Sequence, residues 1–549
     1  MSVMNAALVR TRLGARTHVH VTALAAPAVL YLVALAVRVT ALWIVPYTLN
    51  EGSAYYVNVA RNIATGRGPV IDALWSYGTP PLTLPRAAFE LWQPFTSYLV
   101  AAPMALLGPS LSAAQLAFAL FGALLAPLTW WIAADAAKRL ALPADRRRAV
   151  ALGSGLLAAV AAPFVLASAV PDSTLPFTVL ATAACVVIPI ASRGKGRAIV
   201  ALGALLGVAY LTRIEAIYLG LVFVAFAWST GARGRQLVAR VGAAAAIGAL
   251  VVLPWWLRNQ AAFGTPMPGQ LAQNFFLTHN DQIFAFTDQP TLAGFLGQGL
   301  ATIVSNVGAA AAHDFFDVLL IPAVVIVVVG IAAAFAGWRR RKDLSGTPLA
   351  ALIVYGVMAF AVTTALFPVA TLWGTFAHAA GPLIVALTVL AVLGADAFVA
   401  RVRKWRHWSR ANLWLAPAAL IALSLPMTVF QLASVGQQAR DSQQQVALAA
   451  TLAREDMTLD ATKPLISDEP IWLSDALGVP AIALPDESAQ SVLRLARNFG
   501  AGAIVIVDSQ GRDPAALAAQ APGCFTLLPS TRMPDSAGPA GLSIAEECR

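Results

Sequence analysis

Apolar runs of about 18 to 25 residues recur along this chain, each long enough to cross a bilayer core of about 30 Å as a helix. They fall near residues 22–46, 91–108, 112–134, 149–169, 174–192, 198–212, 214–230, 237–257, 316–338, 348–367, 379–399 and 412–432. The short alternating segments of a membrane barrel are not seen. The pattern therefore predicts an all-α polytopic membrane protein. After residue 433 the pattern changes. A polar helix, "GQQARDSQQQVALAATLARED", leads into short β-like runs, "KPLISDE", "PAIALP" and "GAIVIVD", which alternate with helical ones such as "SAQSVLRLARNFG". That is the order of a small α/β domain. The expected division is an N-terminal tail (1–21), a transmembrane domain (22–432) and a C-terminal α/β domain (433–549).

Charge decides which runs cross. If all twelve did, with the N-terminus cytoplasmic, the clusters "KRLALPADRRR" (138–148), "RGKGR" (193–197) and "GARGR" (231–235) would lie outside, against the preference for basic residues on the cytoplasmic side. If the 91–108 segment only dips in or lies along the surface, these clusters become cytoplasmic, together with "RRRK" (339–342) and "RVRKWRHWSR" (401–410). The second arrangement is expected, with about eleven spanning helices, a cytoplasmic N-terminus and an extracytoplasmic C-terminal domain. External loops then cover 47–111 and 258–315.

Composition agrees. Hydrophobic residues make up 58% of 549 and charged ones 12%, and the mean hydropathy is +0.71. The net charge of +10 comes from the clusters between apolar runs, so it reads as membrane orientation and not as nucleic-acid binding. Arg10, Arg12 and Arg16 precede a first run too long for a signal-peptide core, which is read as a retained helix. Cys185 sits within an apolar run, while Cys524 and Cys548 share the C-terminal region and pair only if that region lies in an oxidising compartment.

This topology places the residues with chemical potential on one face. Asn50 is a good helix cap and Glu51 suits a first helical turn, but Asp172, in "VPDSTLPF", reaches the same face from another helix. Two such acids can serve as a general base and an orienting partner for a hydroxyl acceptor. Arg213 (beside Glu215), Arg258 and His378 offer cations or hydrogen bonds suited to a phosphate. Arg38, inside the first run, needs an acidic partner, a wet cavity or a path to the interface. The histidines and cysteines form no metal-ligand or nucleophile motif. No metal is indicated and no cofactor is required, although a divalent cation between Glu51 and Asp172 is possible.

The order "NEGSAYYVNVARNIATGRG", "ELWQPFTSYLVAAPMALLG", "PDSTLPF", "GALLGVAYLTRIEA", "LPWWLRNQAAFGTPMP" and "FPVATLWGTFAHAAGPLIVAL" resembles the GT-C glycosyltransferase superfamily. The likeness is to bacterial members akin to protein O-mannosyltransferases and lipid A aminoarabinose transferases, over residues 22 to 400. It implies transfer of a sugar, with inversion, from a polyprenyl-phosphate carrier to a glycan, lipid or protein acceptor. Transfer would take place at the outer face of a bacterial cytoplasmic membrane. By position it implies Glu51 as base, Asp172 as the second acid, and Arg258, Arg213 and His378 around the carrier phosphate. The chain departs from the family in having Asn50 where a second acid is common, and Trp92-Gln93-Pro94 where His-Pro-Pro or Lys-Pro-Pro is usual. Asn50, Arg38, Glu90 and Gln93 are supporting candidates, and Asp72, Arg86 and Glu90 in the same loop are expected to compensate. The alternatives are a transporter or flippase for a lipid-linked glycan, which would gather polar residues near the midplane, and an inactive homologue acting as an assembly partner.

Overall fold

The apolar runs fold as helices. A computed structural model describes residues 25–269, 271–409, 412–508, 513–529 and 538–549, so the expected tail 1–21 lies outside the described residues. Among these, eight helices are long and apolar enough to cross a membrane, or nine if the bent pair Ala144–Val160 and Ala162–Ala169 is one span. The runs at 198–212 and 214–230 form shorter apolar helices, Gly196–Tyr210 and Ala216–Ser229. The 91–108 segment yields only Phe95–Leu107. Thirteen residues rise about 20 Å, short of a bilayer core. The chain is a multi-pass membrane protein.

The helices Gly234–Phe263 and Leu300–Ala336 are both longer than their apolar runs, so 258–263 and 300–315, expected in a loop, are helical. The second of them passes through a π-helical turn, Asp314–Leu320. There Asp314, fully buried, accepts hydrogen bonds from Thr364 (3.0 Å) and Thr371 (2.9 Å).

Arg38 is fully buried in the first helix, Ala25–Leu42. Among the described residues it meets no carboxylate. Its Nη1 donates to the carbonyls of Ala34 (3.1 Å) and Ala159 (3.3 Å). The latter is free for a simple reason: Pro163, four residues on, has no N–H to give it. The pair of helices bends by 42° at this break.

Beyond the bundle stands a six-stranded sheet in the order β2-β5-β4-β6-β8-β7. Its strands are β2 (Ala73–Leu74), β4 (Leu465–Ser467), β5 (Ala481–Ala483), β6 (Ala503–Ile506), β7 (Phe525–Leu527) and β8 (Ala540–Ile544), while β1 (Val70–Ile71) and β3 (Arg86–Ala87) form a separate ribbon. Strands β4, β5 and β6 are buried along their whole length, as parallel strands covered on both faces must be. The helices Pro470–Leu477 and Ala489–Phe499 make the crossovers. Cys524 and Cys548 form a disulfide.

The edge strand β2 belongs to the first loop, not to the C-terminal region. It runs parallel to β5, with Ala73 opposite Ala481 and Leu74 opposite Ile482. Leu74 is fully buried in the core of the sheet, which stabilises this docking by roughly 1.5–3 kcal/mol. Arg61, in the helix Glu51–Ala64, pairs with Asp475.

A third tie comes from Glu487. Its carboxylate accepts the N–H groups of Phe286 (2.8 Å), Thr287 (2.7 Å) and Asp288 (3.0 Å), and the Thr287 hydroxyl. Burial opposes the charge, but these donors outweigh it and hold the group below its ordinary value of 4.5. A depressed carboxylate stabilises the fold above its unfolded pKa and loses that contribution as pH falls through the folded one. Hydrogen exchange should therefore show residues 286–288 losing amide protection below about pH 4.5. Glu487→Gln should lose it at neutral pH, with no further acid step.

Candidate active site

The first loop, the ends of several helices and the 264–299 loop enclose a cavity of about 530 Å³. Four segments deliver Glu51, Asp172, Arg213 with Glu215, and His378, and each has a local reason to turn there. Asn50 caps the helix Glu51–Ala64 through the Ser53 N–H (2.8 Å), with the Ser53 hydroxyl reaching back to the Asn50 N–H (3.3 Å). This reciprocal cap fixes the helix start and sets Glu51 on the wall. Pro171 and Asp172 precede the helix Thr174–Ala191, where Asp172 Oδ1 accepts from the Ser173 hydroxyl (2.9 Å) and the Thr174 N–H (3.2 Å). Arg213 and Glu215 occupy the turn between two shorter helices, and His378 the short helix Thr375–Ala379.

Three of these segments interlock. Arg213 grips Glu215 with both Nε (3.0 Å) and Nη2 (2.7 Å), and its Nη1 donates to the Ser173 hydroxyl (2.8 Å). His378 Nδ1 lies 2.7 Å from the Thr174 hydroxyl and 3.6 Å from Asp172 Oδ2. Burial lowers the pKa of the imidazole, with Asp172 pulling the other way. Tyr56 sits four residues after Gly52 on the same cavity wall, and its hydroxyl pKa is raised by burial and by Asp172. It stays protonated as a donor.

Glu51 is held differently. Its Oε1 accepts the backbone N–H of Trp472 (2.7 Å), at the start of the helix Pro470–Leu477. The Trp472 indole donates to Thr48 (2.7 Å). Its Oε2 is buried and has no hydrogen-bond partner among the described residues. Burial, and then Glu469, push the Glu51 pKa well above the ordinary carboxylate range, against the N–H donors of Trp472 and Ile471.

The structure thus brings Glu51, Asn50, Glu90, Gln93, Asp172, Arg213 and His378 to one cavity. Arg258 does not line it. Its guanidinium holds the first loop through the carbonyls of Ala88 (2.7 Å) and Pro69 (3.4 Å), over the rings of Trp255 and Phe263. Arg38 lies among the helices instead. Glu90 pairs with Arg86, which also donates to the Thr79 carbonyl (2.6 Å), and Asp72 pairs with Arg67. Neither Arg86 nor Asp72 lines the cavity. Among the described residues, no group of three or more His, Cys, Asp or Glu side chains is arranged to hold a metal ion.

No protein-family model and no curated protein sequence matches the chain significantly. Solved structures do. ArnT from Cupriavidus metallidurans in the apo state aligns over 95% of this chain and 98% of that one, with a TM-score of 0.53 at 16% identity. The same protein bound to undecaprenyl phosphate gives 0.51 at 15%, over the same shares. The chain has the GT-C fold. The oligosaccharyltransferase of Archaeoglobus fulgidus, in complex with Zn and sulfate, aligns over 91% of this chain and 70% of its own, with a TM-score of 0.54 at 16% identity. At such identities the GT-C likeness concerns architecture, and the chemistry has to be argued from the side chains.

Proposed function

We propose that this protein is an inverting glycosyltransferase that moves a sugar from a polyprenyl-phosphate carrier to a hydroxyl acceptor. The observation that carries this reading is the Glu51 carboxylate, buried on the cavity wall with one oxygen anchored and the other unpartnered. A carboxylate in that state is a strengthened base with its accepting atom unoccupied. The acceptor oxygen attacks the anomeric carbon as its proton passes to Glu51 Oε2. The bond from that carbon to the phosphate oxygen breaks, and the electron pair leaves on the carrier phosphate. Arg213 and His378 are the groups suited to that phosphate, while the Thr174 hydroxyl orients His378 through Nδ1. The reading requires no metal. In this reading the cavity opens on the outer face of the cytoplasmic membrane, with the N-terminus inside.

Charge balance supports a second reading, an inactive GT-C homologue serving as an assembly partner. Glu51, Glu90, Asp172 and Glu215 line the cavity against Arg213 and His378, and Arg213 is committed to Glu215. Incubating the purified protein with a panel of polyprenyl-phosphate sugars and mixed acceptors separates the two. An enzyme consumes at least one donor. An assembly partner binds donors and consumes none.

A further inference from the structure

The cavity wall is unusually aromatic. Ten of its thirty-two lining residues are Phe, Tyr or Trp, against 9% of the whole chain, so ordinary composition does not account for it. Anchoring at the membrane interface does not either. Tryptophans that face outward, such as Trp43 and Trp405, are 85% and 70% exposed, whereas these rings face the cavity. Three tryptophans of this wall, Trp75, Trp92 and Trp373, are linked into a band through Phe284, which is buried behind it. Trp92 meets Trp75 at 4.8 Å, Trp75 meets Phe284 at 4.6 Å, and Phe284 meets Trp373 at 5.6 Å between centroids. All three contacts are tilted or edge-on, and the three tryptophans line the cavity. Trp373 keeps 43% of its surface open, with its indole N–H fixed on the Asn280 carbonyl at 2.9 Å.

Polar atoms beside the band also lack partners. Glu51 Oε2 and Asn274 Oδ1 are buried on this cavity with no hydrogen-bond partner among the described residues. Aromatic faces carry negative charge and so favour the polarised C–H bonds of a sugar ring, while buried, unpaired acceptors favour hydroxyl groups. Together they fit a neutral, polyhydroxylated ring better than a peptide or an acyl chain. The band is built from the first loop, the 264–299 loop and the turn Ala370–Trp373, all outside the spanning helices. A polyprenyl chain must enter from those helices; the sugar it carries and an acceptor ring both reach the cavity beyond them, and the KM split below tells the two apart.

We propose that this aromatic band is the acceptor subsite and that the acceptor is a glycan, an inference that rests on the glycosyltransferase reading. The test uses the full-length protein in detergent and short fluorescent gluco- and manno-oligosaccharides. Binding is followed by anisotropy, and donor consumption is followed in parallel. Wild type should bind at least one oligosaccharide. Trp373→Ala should weaken that binding about tenfold, while Trp373→Phe, which keeps an aromatic face, should restore most of it. With an active donor, the change should appear in the KM for the oligosaccharide and not in the KM for the donor. The subsite is overturned if wild type binds no oligosaccharide, if Trp373→Ala binds as wild type does, or if only a Ser/Thr peptide or a glycerolipid accelerates donor consumption. Oligosaccharide binding that depends on Trp373 without consumption of any donor would sink the enzyme reading and leave the subsite standing.

Discussion

Glu51→Gln should cut donor turnover by about 10²- to 10⁴-fold, the usual weight of a general base, while the protein stays folded. Gln has the same shape, and its carbonyl oxygen can still accept the Trp472 N–H that Glu51 Oε1 accepts now. The tie between the bundle and the C-terminal sheet is therefore kept and only the proton acceptor is lost. The pH dependence has a definite sign. Burial favours the protonated carboxyl, so the basic form appears only above the ordinary carboxylate range. Wild-type turnover should rise with pH along a limb displaced upward from the reference value of 4.5, and any residual turnover in the variant should lack that limb. Stability runs the other way. The folded state binds this proton more tightly than the unfolded one, so ionising Glu51 costs stability as pH rises past the unfolded value. Single-turnover donor consumption from about pH 5 to 9, with melting curves alongside, checks both limbs. Wild-type turnover in the variant would remove Glu51 from the mechanism.

Arg213→Met should be the most destabilising change among the cavity residues. Glu215 is only 3% exposed and Arg213 holds it with two hydrogen bonds. Removing the guanidinium leaves a buried carboxylate unpaired, a loss of about 3–5 kcal/mol. It also frees Ser173, and with it the turn that carries Asp172. The double variant Arg213→Met/Glu215→Leu should recover most of the melting temperature, because apolar residues can replace a buried ion pair at little cost. It should not recover turnover if Arg213 holds the carrier phosphate. A single variant that melts like wild type would show that the pair adds no stability, and a double variant with full turnover would take Arg213 out of the site.

The sequence made some of these features legible and hid others for physical reasons. The spans could be read because a lipid-facing helix must be apolar along its length. Basic clusters argued against a span at 91–108, and the helix formed there, Phe95–Leu107, is thirteen residues long. Asn50 was legible as a cap because its signal is local. Strand β2 was not, since two residues carry no period, and only its register against β5 makes it a strand. The grip of Trp472 on Glu51 spans 421 positions, beyond any local pattern. Arg258 looked like a phosphate ligand, but a residue type does not reveal that its guanidinium points away from the cavity to the carbonyls of Ala88 and Pro69. Arg38 carried a signal that was missed. Pro163 leaves the Ala159 carbonyl without an N–H partner, and a buried guanidinium takes it. Asp314 fell just outside a run taken to begin at 316, although the helix continues through it.

The late partner of strand β2 also has a bearing on biosynthesis. Residues 73 and 74 leave the ribosome roughly four hundred positions before 481 and 482, the pair they must lie against. Through most of translation and membrane insertion that edge has nothing to bind, and the Glu51 carboxylate has no Trp472 to anchor it. A nascent chain arrested before residue 465, where the first late strand begins, should therefore sit in the bilayer with Glu51 loose. With Glu51 as the proposed base, sugar transfer would become possible only as the last segments fold, and the order of synthesis itself would hold back premature chemistry.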